Sequence, residues 1–171
     1  YQIYSYTISA TAGQGVVLHA YSSSNISISL YRPNGAPLVN YSNRVEQTLP
    51  DTGTYTVVVA YSPNGVTGNF KLYYAQGGGS VSDGTLASGS TVTKTLENNQ
   101  LASYQITASA GQGIMIYGNA AQNVSIRVYN PDGSLFSTAS NRFSETLLNT
   151  GTYTVVVSYS VVNANGTYKL Y

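Results

Sequence analysis

Shifted by 98 residues, this sequence falls onto itself without a gap. Residues 1–73 overlay 99–171, and 34 of the 73 aligned pairs are identical. Ala12-Gly13-Gln14-Gly15 returns as Ala110-Gly111-Gln112-Gly113, and Pro33-Asn34-Gly35 as Pro131-Asp132-Gly133. Thr52-Gly53-Thr54-Tyr55-Thr56-Val57-Val58-Val59 returns as Thr150-Gly151-Thr152-Tyr153-Thr154-Val155-Val156-Val157. A period of this length reads as one structural unit used twice in tandem.

The overlay leaves residues 74–98 between the copies. Gly77-Gly78-Gly79-Ser80 has the composition of a flexible linker. Thr91-Val92-Thr93-Lys94-Thr95-Leu96 alternates and is rich in β-branched residues, so it reads as a strand at the front of copy two. Copy one has no counterpart to it and is expected to be one strand short at its N-terminal edge. The expected domains are 1–74 (repeat one, lacking the first strand), a Gly/Ser linker at 75–83, and 84–171 (repeat two). The chain begins at Tyr1 rather than Met, the form of a mature or trimmed product.

The segments between turns read as strands. Ser5–Ala10, Ile26–Tyr31 and Val124–Tyr129 alternate with period two, and Tyr153–Tyr159 is a β-branched and aromatic run. No stretch offers a helical apolar stripe. Turn signals recur at Pro33-Asn34-Gly35, Asn64-Gly65, Pro131-Asp132-Gly133 and Asn165-Gly166. The expected class is all-β: two tandem antiparallel β-sandwiches of Greek-key or jelly-roll type. Ile8, Ile28, Val57, Val59, Ile106, Ile126, Val155 and Val157 are the expected core. Gly-x-Tyr after a turn and before a buried strand predicts a structural corner at Tyr55 and Tyr153, each hydroxyl bonding nearby backbone.

These motifs (Tyr-x-Ile…Ala-Gly-Gln-Gly, Leu-Tyr-x-Pro-x-Gly and Gly-Thr-Tyr-Thr-Val-x-Val) resemble the bacterial pre-peptidase C-terminal domain family across both copies. The resemblance implies a small extracellular β-sandwich, often appended to secreted hydrolases or surface proteins. Some relatives bind calcium through clustered acids near the first strand. Here that region offers only Asp83 and Glu97, so calcium is not carried over.

No enzyme site is expected: no catalytic, cofactor-binding or metal residue is assigned. Cysteine is absent, which removes disulfides, thiolate ligands and cysteine nucleophiles. The single histidine, His19, becomes Tyr117 in copy two and reads as a half-buried strand residue. The six acids, Glu46, Asp51, Asp83, Glu97, Asp132 and Glu145, form no repeated pair suited to glycoside hydrolysis. Arg44 with Glu46 and Arg142 with Glu145 read as ion pairs at strand ends. The Gly-Gln-Gly steps precede no helix and read as hairpin turns rather than phosphate loops. Lys71 and Lys169 read as edge-protecting lysines, with isopeptide bonding to Asn as the alternative. Asn25, Asn40, Asn123 and Asn165 stand in Asn-x-Ser/Thr triplets and are candidate N-glycosylation sites.

Charged residues make up 8% of the chain, about a third of the usual share, and net charge is +1. Neither nucleic acid nor a membrane span is an expected partner. The expected role is a non-enzymatic subunit of an extracellular filament or cell-surface assembly. It polymerises head-to-tail when a neighbour's strand fills the open edge of copy one, with Gly166–Tyr171 as one candidate donor. Partners are then further copies of the chain, and possible glycans. The alternative is a carbohydrate- or protein-binding accessory module of a larger secreted enzyme.

Overall fold

The computed structural model describes residues 2–61, 67–79 and 81–171. The Asn64-Gly65 turn expected from sequence lies outside the described residues. The chain divides into two compact units, Tyr1–Tyr74 and Ala75–Tyr171. Both are all-β, with antiparallel sheets and no helix among the described residues.

The first unit is built from β1 (Ile3–Ala10), β2 (Gly15–Tyr21), β3 (Ile26–Tyr31), β4 (Pro37–Ser42), β5 (Arg44–Thr48), β6 (Gly53–Tyr61) and β7 (Lys71–Gln76). One sheet has the order β1-β6-β3-β4 and the other β5-β2-β7. The second unit repeats this plan with β9 (Ala102–Ala108), β10 (Gly113–Ala120), β11 (Val124–Tyr129), β12 (Leu135–Ser140), β13 (Arg142–Thr146), β14 (Gly151–Tyr159) and β15 (Gly166–Leu170). It adds β8 (Val92–Leu96), giving the orders β12-β11-β14-β9 and β13-β10-β15-β8. Most successive strands change sheet, so the chain weaves between the two layers. The Gly13-Gln14-Gly15 and Gly111-Gln112-Gly113 steps, expected as hairpin turns, therefore join strands of different sheets. Each bends tightly, with the Gln14 side chain accepting from the Thr11 amide (2.9 Å) and Gln112 from Ser109 (3.2 Å).

Alternation decides which side chains meet. Along β6, Tyr55, Val57, Val59 and Tyr61 turn inward and are buried, while the intervening residues are more exposed. Leu18, Ile28, Leu30 and Leu49 complete the first core, and Ile126, Val128, Phe143, Leu147, Tyr153, Val155 and Val157 the second. Each fully buried side chain of this size contributes roughly 1.5–3 kcal/mol. Ile8 and Ile106, expected in the core, are only half-buried. They sit on β1 and β9, the outermost strands in the order of their sheets.

Both corner tyrosines are fully buried. The Tyr55 hydroxyl donates to the Asp51 carbonyl (2.9 Å) and accepts from the Asp51 amide (2.8 Å). Tyr153 does the same at Asn149 (2.7 and 2.9 Å). The preceding glycine is required twice over. Gly53 and Gly151 hold φ of +147° and +151°, and a Cβ there would meet Pro33 Cγ at 2.9 Å or Pro131 Cγ at 2.7 Å. The repeated Pro and the repeated Gly are thus one contact, between the β3–β4 turn and the start of β6.

Three expectations change here. β8 does not lie beside β9, the first strand of its repeat. It pairs antiparallel with β15, the last, from Gly166↔Leu96 to Leu170↔Val92. The incomplete sheet of the first unit therefore ends on β7, not on β1. β15 is held between β10 and β8, so Gly166–Tyr171 is not a spare strand for a neighbour. Within 75–83, expected as linker, three backbone amides bond to the second unit: Gly78 N to Thr154 Oγ1 (3.2 Å), Ser82 N to Ser103 Oγ (2.9 Å) and Asp83 N to the Ser103 carbonyl (2.9 Å).

Candidate functional site at the open side of the first sandwich

In the second unit, residues 82–96 form a clip whose two arms run along β9 and β15, one strand of each sheet. Its first arm runs parallel to β9. Leu86 N donates to the Gln105 carbonyl and Gln105 N to the Gly84 carbonyl, both at 2.9 Å, and Thr85 bridges Gln105. The arm turns at Gly89, and the second arm is β8 along β15. An ion pair between Asp83 and Lys94 ties the two arms together. The same Asp83 carboxylate accepts from Ser103 N (2.8 Å). Burial holds the Lys94 amine below its ordinary pKa. Leu96 is fully buried in the core, and Leu86 and Val92 pack against it.

Beneath the clip, Tyr104 and Tyr168 share a hydrogen bond of 2.6 Å between hydroxyls. Burial raises the pKa of both. For Tyr168 the Tyr104 hydrogen bond adds to the rise, whereas for Tyr104 the bond to Tyr168 partly opposes it. Two buried hydroxyls satisfy each other, which removes most of the cost of enclosing them.

Among the described residues, the first unit presents the equivalent strands β1 and β7 with no clip along them. Its sheet ends on β7 where the second continues to β8. Tyr6, equivalent to Tyr104, is 42% exposed against 1%. Ile3, equivalent to Leu101, is 61% exposed against 7%. Ser5, equivalent to the buried Ser103, is exposed. Between β1 and the start of β7 runs an open groove of about 470 Å³, lined by Tyr4, Tyr6, Gly68, Asn69, Phe70, Leu72 and Tyr74. Tyr4 lies against Phe70 with ring centroids 4.8 Å apart. Tyr4 replaces Ala102 and Phe70 replaces Tyr168, so the seat is more aromatic than its twin and lacks the second hydroxyl. The groove is rich in aromatic rings, mixed in polarity and flanked by strand backbone, which suits an extended chain.

The other sequence candidates do not converge on this groove. His19 is fully buried, not half-buried, and its Nε2 lies 3.3 Å from Glu46 Oε1. Arg44 is the register partner of His19 on β5. Arg142 and Glu145, expected as a pair, are three residues apart on β13. Alternation puts them on opposite faces, and Arg142 instead reaches Met115 Sδ at 3.6 Å. Asp51 lies 3.7 Å from Arg32, and Asp132 caps its own turn through Ser134 (2.9 Å to N, 2.6 Å to Oγ). Lys71 and Lys169 are exposed on β7 and β15. Asn25, Asn40, Asn123 and Asn165 are all exposed. Asn123 accepts from Asn141 Nδ2 (3.0 Å), and Asn165 bonds to Asn98. Among the described residues no group of three or more His, Asp or Glu side chains is placed to hold a metal ion. No helix among them is long and apolar enough to cross a membrane.

The groove escaped the sequence reading because alignment shows which strand is missing but not which neighbour it leaves. A signal was available in the pairing of Leu86 and Leu96 about the Ser88-Gly89-Ser90 turn, which marks two apolar arms rather than one strand.

No family model and no curated protein matches the chain. Among solved structures it is similar to PliG of Aeromonas hydrophila, a periplasmic lysozyme inhibitor of g-type lysozyme. That likeness has 15% identity, covers 52% of this chain and 94% of that one, and has a TM-score of 0.44.

Proposed function

We propose that this chain is a non-enzymatic structural subunit of an extracellular or cell-surface assembly, joined to its neighbours by an extended segment that completes the open side of its first sandwich. The observation that carries this reading is the contrast between equivalent positions. Tyr6 and Ile3 stand open to solvent where the equivalent Tyr104 and Leu101 are buried. An uncovered sheet end beside an apolar groove is a template for another strand. The contact is heterologous, one surface on each partner, so it propagates into a fibre unless it closes a ring. Low charge favours close packing of copies, and the four exposed Asn-x-Ser/Thr asparagines suit a glycosylated outer surface. The aromatic lining of the groove also suits stacking on a sugar ring, which keeps a carbohydrate-binding accessory module as the second reading.

Negative-stain electron microscopy of the purified chain tests the assembly. Fibres of uniform width are expected at rising protein concentration. Monodisperse single particles throughout would sink the reading.

A further inference from the structure

We infer that Asp83 and Lys94 condense to an amide, Asp83 Cγ to Lys94 Nζ, which joins the two arms of the clip covalently. The inference concerns the second unit alone and stands independently of the assembly role.

Of the three lysines, Lys71 and Lys169 are exposed and Lys94 is not. Along β8 it alternates with the exposed Thr93 and Thr95, so it shares the inward face of Val92 and Leu96. Directly across the ladder stands Tyr168, which is fully buried. An ammonium group rarely faces a core unless it is paired. The partner here is Asp83, whose side chain is 10% exposed against 26% for Lys94. The burial that lowers the Lys94 pKa favours the neutral amine, which is the nucleophilic form.

The carboxyl group is held asymmetrically. Oδ2 accepts from Ser103 N at 2.8 Å and from the Ser82 hydroxyl, whereas Oδ1 meets the Lys94 amine. The Asp83 backbone is fixed as well, its N–H donating to the Ser103 carbonyl at 2.9 Å. Two donors on one oxygen are what the oxyanion of an addition step needs. The same two donors suit the carbonyl oxygen of the product amide. The oxygen that faces the amine is the one placed to leave.

The step balances without another reactant. A proton passes from the Lys94 ammonium to Asp83 Oδ1, leaving a neutral amine and a neutral carboxylic acid. The Nζ lone pair attacks Cγ, and the carbonyl electron pair moves to Oδ2. One N–H proton transfers to the Oδ1 hydroxyl, the Cγ–Oδ1 bond breaks, and Oδ1 departs as water while the carbonyl re-forms at Oδ2. Ammonium and carboxylate thus become one amide and one water, with no change in total charge. The fold supplies the high effective concentration of one group at the other. Condensation also removes two charges from a face where each costs desolvation free energy. The resulting ring runs through residues 83–94, with Asp83 bonded to β9 and Lys94 in β8 beside β15, so it braces the two sheets where the clip crosses them.

Mass spectrometry of the denatured full chain reads the bond directly. The parent is expected one water lighter than its sequence. Trypsin should fail to cut after Lys94, and chymotrypsin, cutting after Leu86, should release the two arms as one branched peptide. The Lys94→Arg and Asp83→Ala chains should have their full masses, and this readout does not depend on either variant folding. Water is also lost when Asp83 or Asp132 closes on the amide of the glycine that follows it, and Lys94→Arg separates the cases. A parent at full sequence mass overturns the inference and leaves an ion pair. So does a water loss that survives Lys94→Arg, or ready tryptic cleavage after Lys94 in the parent.

Discussion

Replacing Tyr153 by Phe removes one oxygen atom and nothing else. That oxygen holds two bonds to Asn149, donating to its carbonyl at 2.7 Å and accepting from its amide at 2.9 Å. The ring stays in place, so no cavity opens and the cost is that of the bonds alone. A net hydrogen bond contributes about 1 kcal/mol, and a backbone group left unpaired costs more if it is shielded from water. Asn149 itself is exposed, so water reaches part of the vacated positions. The expected loss is about 1–2 kcal/mol, which lowers the melting temperature of a domain this size by roughly 5–15 °C. Tyr153→Ala additionally removes a fully buried ring and should cost about 3–5 kcal/mol in total. Differential scanning calorimetry of both variants measures this, and Tyr55→Phe repeats the experiment in the first unit. If the Phe variants melt with the parent, the hydroxyl bonds are not holding the corner.

Further perturbations test other parts of the structure. Gly151→Ala puts a Cβ 2.7 Å from Pro131 Cγ at φ +151°, and should cost about 1–3 kcal/mol by thermal unfolding. An unchanged midpoint would contradict the Pro–Gly contact. Leu96→Ala empties a fully buried position of the clip and should cost about 2–5 kcal/mol, with faster amide exchange in residues 166–170; exchange that stays slow there would show that β8 does not hold the edge. Tyr104 and Tyr168 have pKa values raised by burial above the unfolded value of about 10. The stability they contribute is therefore whole below about pH 10 and is lost as pH climbs toward their folded values. Tyrosinate absorbance with circular dichroism should show these two rings ionising only as the second unit unfolds. Their ionisation near pH 10 with the fold intact would be the opposite result. His19→Ala empties a fully buried site and should destabilise the first unit by about 1–3 kcal/mol in a urea titration, while a parent-like midpoint would place the ring at the surface.

What could be read from the sequence was what the period-two pattern and the repeat encode. Thr54-Tyr55-Thr56-Val57-Val58-Val59 announces a strand with one buried face, and the Gly53-Thr54-Tyr55 step announces a corner, because both are local rules of backbone and side-chain direction. Pairing is not local. Leu96 meets Gly166 across some seventy residues of chain, and nothing in Thr91–Leu96 says that its neighbour is the last strand of the repeat rather than the first. The same gap explains His19. Its neighbours along β2 do not reveal that this strand is buried on both faces while its twin β10 is half exposed. Gly77-Gly78-Gly79 reads as flexible by composition. A Cβ at Gly77 would meet the Gly133 carbonyl and come within 2.8 Å of the Tyr129 ring, so the residue is small because the backbone approaches closely there.

The claim that the open side of the first sandwich joins one subunit to the next is tested most directly by closing it covalently. A copy of residues 80–98 fused ahead of Tyr1 places a clip beside β1 and β7 in the same relation that residues 82–96 have to β9 and β15. Electron microscopy and sedimentation velocity on the parent and the fusion then read the outcome. The account predicts that the parent forms fibres and the fusion stays a single particle, with a higher melting temperature for the first unit. A fusion that forms fibres as readily as the parent would contradict it.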